Sequence, residues 1–195
     1  SGDEIITFDP LIEGFRSASG WLADQGFVRQ ICVGHEFGAA VALRSCRAKL
    51  APHGVRIEVL ARRTSGALVY VYRPRLLTRA IQQEKVAAFL VAEGYDPTSL
   101  SACIEKLHKR ICGTDLQSQL TGRCSFPHEI GFFLGYPYED VVGFIDNEGR
   151  NFLCSGCWKV YAKERDAQTC FCCYKNCTTM YQQLFDEGVS IECLA

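Results

Sequence analysis

The chain has 195 residues, 21 basic and 22 acidic side chains, 48 % hydrophobic residues and twelve cysteines. That length allows one domain with a core of its own, so neither a metal nor a disulfide is needed for stability. A formal charge of -1 supplies no field to draw in nucleic acid or an anionic membrane, and both are excluded as expected partners.

In chain order, Asp9-Pro10 is a helix start, and Leu11, Phe15, Ala18 and Leu22 then share one face until Gly26. "FVRQICV" (27–33) has the composition of a buried strand, and Ala40, Leu43, Cys46 and Leu50 predict a helix over 36–50. "VRIEVLARRTSGALVYVYRP" places alternating β-branched runs on either side of Thr64-Ser65-Gly66, so strands at 55–62 and 67–72 form a hairpin. Helices are expected at 74–92, with a break, and at 97–111, capped by Asp96-Pro97 and striped by Leu100, Cys103, Ile104, Leu107 and Ile111. After a loop at 113–125, two short helices each begin at a proline in "FPHEIGFFLGYPYEDVVGFIDNEG", with Gly149 as the second stop. An extended "NFLCSGCWKVY" and a helix over 165–187 complete the chain.

The expected class is α+β: a small mixed or antiparallel sheet containing the hairpin at about 55–72, packed with several helices, and a helical C-terminal half. No linker interrupts 1–195, which reads as a single domain, with a subdivision at 1–112 and 113–195 as the alternative. The N-terminal residues carry no export signal, and no segment approaches the about eighteen apolar residues of a membrane span, so a cytoplasmic location with reduced thiols is expected.

Chemistry could reside in three places. Cys154-Ser-Gly-Cys157 and Cys170-Phe-Cys-Cys173, separated by twelve residues, have nearly the spacing of a structural zinc site. The competing reading places Ala167, Cys170, Phe171, Tyr174, Cys177, Thr178, Tyr181, Leu184 and Phe185 on one helical face, with Cys173 at its edge and only Cys172 pointing away. It makes the thiols packing groups and "WKVY" a strand, and it is preferred. Neither pair opens a helix after a strand in the thioredoxin manner, so redox use has less support.

His128-Glu129 could act as acid and base or bind metal, although Phe132 occupies the fifth position of an HExxH motif. The plainer use of Glu129 is to favour a helix dipole, as Glu139-Asp140 would after Pro137. His35-Glu36, His53 and His108 read as cap, turn and helix-surface residues, and Arg56, Arg62 and Arg63 as a solvated strand face. There is no GxSxG elbow and no phosphate-binding loop.

"FPHEIGFFLGYPYEDVVGFIDNEGRN", then "SGCWKVY", then Ala167, Phe171, Tyr174 and Cys177 in the last helix resemble an uncharacterised bacterial family catalogued as domain of unknown function 3793. Weaker similarity covers most of the chain beyond about residue 47, while "ICVGHEFGAAVAL" departs from the family. The resemblance implies a cytosolic protein, chiefly of anaerobic Firmicutes, with gene neighbourhoods that include flavodoxins and ferrous-iron uptake. It implies no activity or cofactor, and it does not include Cys170 and Cys173 in the shared pattern.

The leading expectation is a binding or accessory protein linked to iron or redox metabolism. Its surface would lie around His128, Glu129, Tyr136, Trp158 and Lys159, and its partner would be a protein, such as a flavodoxin-like redox protein, or a small molecule. The alternatives are an enzyme with His128 and Glu129 as acid-base groups in a cleft, and a structural zinc protein using Cys154, Cys157, Cys170 and Cys173.

Overall fold

A computed structural model describes residues 36–63, 66–114 and 126–195. The helix expected from Asp9-Pro10, the strand at 27–33, His35 and most of the loop at 113–125 lie outside the described residues. The described elements are α1 (Glu36–Leu50), β1 (Arg56–Arg63), β2 (Gly66–Tyr72), α2 (Pro74–Ile81), α3 (Glu84–Ala92), α4 (Leu100–Cys112), α5 (Ile130–Phe133), α6 (Tyr138–Asp146), β3 (Cys154–Ser155), β4 (Lys159–Val160) and α7 (Glu164–Asp186). Two separate two-stranded antiparallel sheets, β1-β2 and β3-β4, stand among these helices, and the class is α+β with a helical C-terminal half. No helix among the described residues is long and apolar enough to cross a membrane.

Two compact units emerge: one joins the described residues up to Arg73 with Tyr174–Ala195, and the other is Pro74–Cys173. In the first, the β1-β2 register runs from Arg56 opposite Tyr72 to Arg63 opposite Gly66, with an irregularity between Val59 and Ala61. The hairpin forms where the alternating runs predicted it, but β2 is buried on both faces, with consecutive Val69, Tyr70, Val71 and Tyr72 all covered, and Ile57, Leu60 and Ala61 are buried on β1. Leu43, Cys46 and Leu50 bury the apolar face of α1. Arg47 fastens α1 to β1 by donating from Nε to the Ile57 carbonyl at 2.7 Å. The last residues are tied to the same unit through Lys49 Nζ, 2.9 Å from Glu192 Oε1, and through Arg73, which donates to the carbonyls of His53 and Ala195.

In the second unit, Gln82 and Gln83 interrupt the expected 74–92 helix and yield α2 and α3. Helix α4 starts three residues later than expected. Asp96 Oδ1 is occupied by the Thr98 amide at 3.0 Å and its hydroxyl at 2.6 Å, so Asp96-Pro97 forms a side-chain turn. Ser99 takes over as the cap and accepts from the Ala102 amide. The α4 stripe is otherwise as its spacing requires, with Cys103, Leu107 and Ile111 buried.

Helix α5 is a single turn in which all four residues are buried. Phe132 meets Phe89 of α3 edge-on at 5.2 Å and stacks near Tyr138 of α6 at 5.8 Å, while Phe133 lies 5.6 Å from Tyr95. That sequence is therefore the aromatic centre of its unit. The segment 151–161, expected to be extended with "WKVY" as strand, folds back on itself as the β3-β4 hairpin, in which Cys154 pairs with Val160 and Ser155 with Lys159. Helix α6 packs closely on it: a Cβ at Gly143 would lie 2.5 Å from both Cβ and Cγ of Tyr161.

That close approach makes a prediction. Alanine at position 143 gains about 1 kcal/mol of helix propensity, but overpacking against an atom next to the backbone costs about 1–3 kcal/mol. Tyr161 cannot yield easily, because its amide is held by Asp140. Gly143→Ala should therefore lower unfolding stability in a urea titration, and an unchanged or raised midpoint would show that Tyr161 moves freely.

Candidate functional site

Two carboxylates within Pro74–Cys173 are almost wholly buried, Glu129 and Asp140, each 3 % exposed. A buried charge must be paired or hydrogen-bonded, and both are. Glu129 Oε1 accepts from the Tyr95 hydroxyl at 2.7 Å and lies 2.7 Å from Arg110 Nη1, which also donates to Glu93 Oε2 at 2.8 Å. Burial, followed by the charge of Glu129, raises the pKa of Tyr95 far above the usual tyrosine value, keeping it a neutral donor. Burial works to lower that of Arg110, but the Glu93 hydrogen bond and the surrounding negative charge raise it overall.

Asp140 has a different task. Its Oδ2 accepts from the Trp158 indole Nε1 at 2.6 Å, and its Oδ1 accepts from the amides of Tyr161 at 2.7 Å and Ala162 at 3.0 Å. A residue in the first turn of α6 thus grips both the turn and the exit of the β3-β4 hairpin. Trp158 is consequently fixed between Tyr136, at a ring separation of 5.1 Å, and Phe171, edge-on at 4.6 Å. The Tyr136 hydroxyl donates to the Cys157 carbonyl at 3.3 Å. The hairpin turn needs glycine at 156, where a Cβ would stand 2.3 Å from the Phe171 ring.

A second group of side chains faces outward. His128 is exposed, with its ring 5.0 Å from Phe144 and 6.1 Å from Phe126. Its imidazole nitrogens make no hydrogen bond or ion pair among the described residues. Lys159 donates to the Gly149 carbonyl at 2.6 Å, with its ammonium 5.7 Å from the Phe144 centroid and 4.8 Å from that of Phe152. Phe126, Phe152 and Leu153 are 44 %, 41 % and 58 % exposed. Ring contacts thus run from exposed Phe126 through His128 to half-buried Phe144, and the half-buried Lys159 ammonium links Phe144 to exposed Phe152.

His128 and Glu129, adjacent in sequence, therefore belong to different surroundings: an open aromatic surface and a buried ion-pair cluster. Tyr136, Trp158 and Lys159 do come together around the β3-β4 hairpin, with Lys159 also on the run of ring contacts. The sequence signal for that run is the aromatic content of 126–152. Nothing in the spacing of Phe126, Phe144 and Phe152 links them through His128 and Lys159, so sequence reasoning misses them.

Of the cysteines, Cys154 is half-buried on β3 and Cys157 is exposed in the turn. On α7, Cys170, Cys173 and Cys177 are half-buried and Cys172 is exposed, as the helical spacing requires. Partial burial, and then the charge of Glu164, push the Cys154 thiol up, away from the thiolate that a nucleophilic role needs. Among the described residues, no group of three or more His, Cys, Asp or Glu side chains could hold a metal ion.

This architecture belongs to a family already delineated by sequence. The family described as "Protein of unknown function (DUF3793)" matches residues 9–195, and the chain belongs to it. No curated protein and no solved structure matches the chain.

The Asp140 contacts lead to a measurable outcome. Asp140→Ala strands a buried indole N–H and two amides, and should cost about 3 kcal/mol or more in chemical denaturation. Asp140→Asn can keep the two amide bonds through its carbonyl while turning an NH2 toward the indole, so it should fall between alanine and wild type. Equal stability of all three proteins would remove the structural role given to this carboxylate.

Proposed function

We propose that this protein is a cytoplasmic binding or accessory module that receives its ligand or partner on the exposed surface of Phe126, His128, Phe144, Phe152, Leu153 and Lys159. The observation that carries the reading is the exposure of three large apolar side chains beside a row of ring contacts. Exposed apolar residues clustered in this way favour an interaction surface, whereas a single exposed leucine would need no explanation. Trp158 on the hairpin turn, packed against Tyr136, supports the surface from beside it, and the Asp140 contacts hold the hairpin in place before any partner arrives.

An acid-base role for His128 with Glu129 draws less support, because Arg110 and Tyr95 engage the Glu129 carboxylate. A zinc role for Cys154, Cys157, Cys170 and Cys173 also draws less, because no group of three or more His, Cys, Asp or Glu side chains among the described residues could hold a metal ion. The link to iron or redox metabolism, and a flavodoxin-like protein as partner, rest on the family resemblance. Lys159 adds one cation to the surface, which suits an acidic redox partner.

Hydroxyl-radical footprinting tests the assignment. In the isolated chain Phe126, Phe152 and Leu153 should label readily. Adding native host extract, and then a purified host flavodoxin, should protect them while Val91, 59 % exposed outside this row, stays labelled. Unchanged labelling of the three residues in host extract would contradict the reading, and protection by extract but not by flavodoxin would remove only the named partner.

A further inference from the structure

We infer that the same surface binds an iron tetrapyrrole bearing carboxylate groups, with His128 as an axial ligand of the iron. The inference rests on the binding reading above and names the ligand's chemistry. Three properties of the surface coincide in that ligand. First, the His128 imidazole is exposed, lies between Phe126 and Phe144, and has no polar partner among the described residues. An accessible imidazole beside aromatic rings has the chemistry of a haem-iron ligand.

Second, the exposed Phe126, Phe152 and Leu153 and the half-buried Phe144 provide aromatic and aliphatic area on which a flat macrocycle can lie. Aromatic faces pack on such a ring with the offset or edge geometries that aromatic pairs prefer. Third, the Lys159 ammonium lies 5.7 Å from the Phe144 ring centroid, and His128 lies 5.0 Å from the same ring. A cation is therefore held beside the platform at a short remove from the iron ligand. Its bond to the Gly149 carbonyl uses one of three ammonium donors, which leaves donors for a propionate.

The alternative macromolecular occupants explain less of this surface. A protein partner would use the exposed phenylalanines and leucine, but it gives no particular use to the exposed imidazole that touches Phe126 and Phe144. The binding step is simple ligand exchange: a nitrogen lone pair of neutral His128 forms a bond to ferric iron, and a water molecule leaves. No electron is transferred and no proton is released when the displaced ligand is water.

The test titrates the full chain with ferric protoporphyrin and follows the Soret band. Wild type should shift the band and saturate at one equivalent. His128→Ala should abolish the shift and weaken binding by about tenfold or more, which is about 1.4 kcal/mol or more. His53→Ala and His108→Ala, which replace exposed histidines elsewhere, should behave as wild type. Lys159→Met should weaken binding while leaving the band position unchanged. Added imidazole should compete with wild type, a readout that stands even if the His128 variant fails to fold. Metal-free protoporphyrin should bind more weakly than the iron form, and its affinity should be insensitive to His128→Ala.

A Soret shift that survives His128→Ala, or that is lost equally with His53→Ala or His108→Ala, would overturn the assignment, as would no binding at all. Footprint protection of Phe126 and Phe152 by host extract, together with no porphyrin binding, would remove this inference and leave the binding reading standing.

Discussion

The structure around the candidate surface depends on one buried carboxylate. Asp140 sits in the first turn of α6, where a negative charge is favoured by the helix dipole. The three donors it accepts from all belong to the segment between Trp158 and Ala162. Without such partners, a carboxylate this deeply buried would cost several kcal/mol. With them, its burial fixes a two-residue-per-strand hairpin that is far too short to be stable alone. The charge thus converts a marginal local structure into a fixed one.

The consequence of that fixation is positional. The hairpin carries Trp158 on its turn and Lys159 on β4, so holding it places the indole against Tyr136 and Phe171 and the ammonium against Phe144 and Phe152. Helix α6 contributes buried Asp140 and, one turn later, half-buried Phe144, whose ring meets His128 and the Lys159 ammonium. The Glu129 cluster works in parallel on the preceding turn: tying Glu129 inward to Arg110 and Tyr95 leaves its neighbour His128 facing outward. A binding surface of side chains that are separately anchored loses little entropy when it is occupied.

Much of the fold could be read from local pattern. The β1-β2 hairpin is announced by period-two alternation, the buried face of α4 by the 3.6-residue spacing, and the exposure of Cys172 by the same angular arithmetic on α7. The misjudged features share a cause, which is a partner distant in sequence or a competing local bond. Asp96 looks like a cap, but its side chain is claimed by Thr98. "NFLCSGCWKVY" looks extended, yet glycine at 156 lets the chain turn beneath the Phe171 ring, fifteen positions away by number. Glu129 and Asp140 each look like ordinary first-turn carboxylates. Their partners, Tyr95 and Arg110 in one case and Trp158 to Ala162 in the other, are joined to them only by the folded chain.

If Asp140 holds the hairpin as one unit, the protons it binds must be released together. Native-state hydrogen exchange reads this directly at the Trp158 indole N–H and at the backbone amides of Tyr161 and Ala162. The three should exchange through a common opening with the same free energy, well above that of the exposed turn between β3 and β4. An indole proton that exchanges rapidly while the two amides stay protected would show that Trp158 is not held by Asp140, and the fixed surface built upon it would lose its foundation.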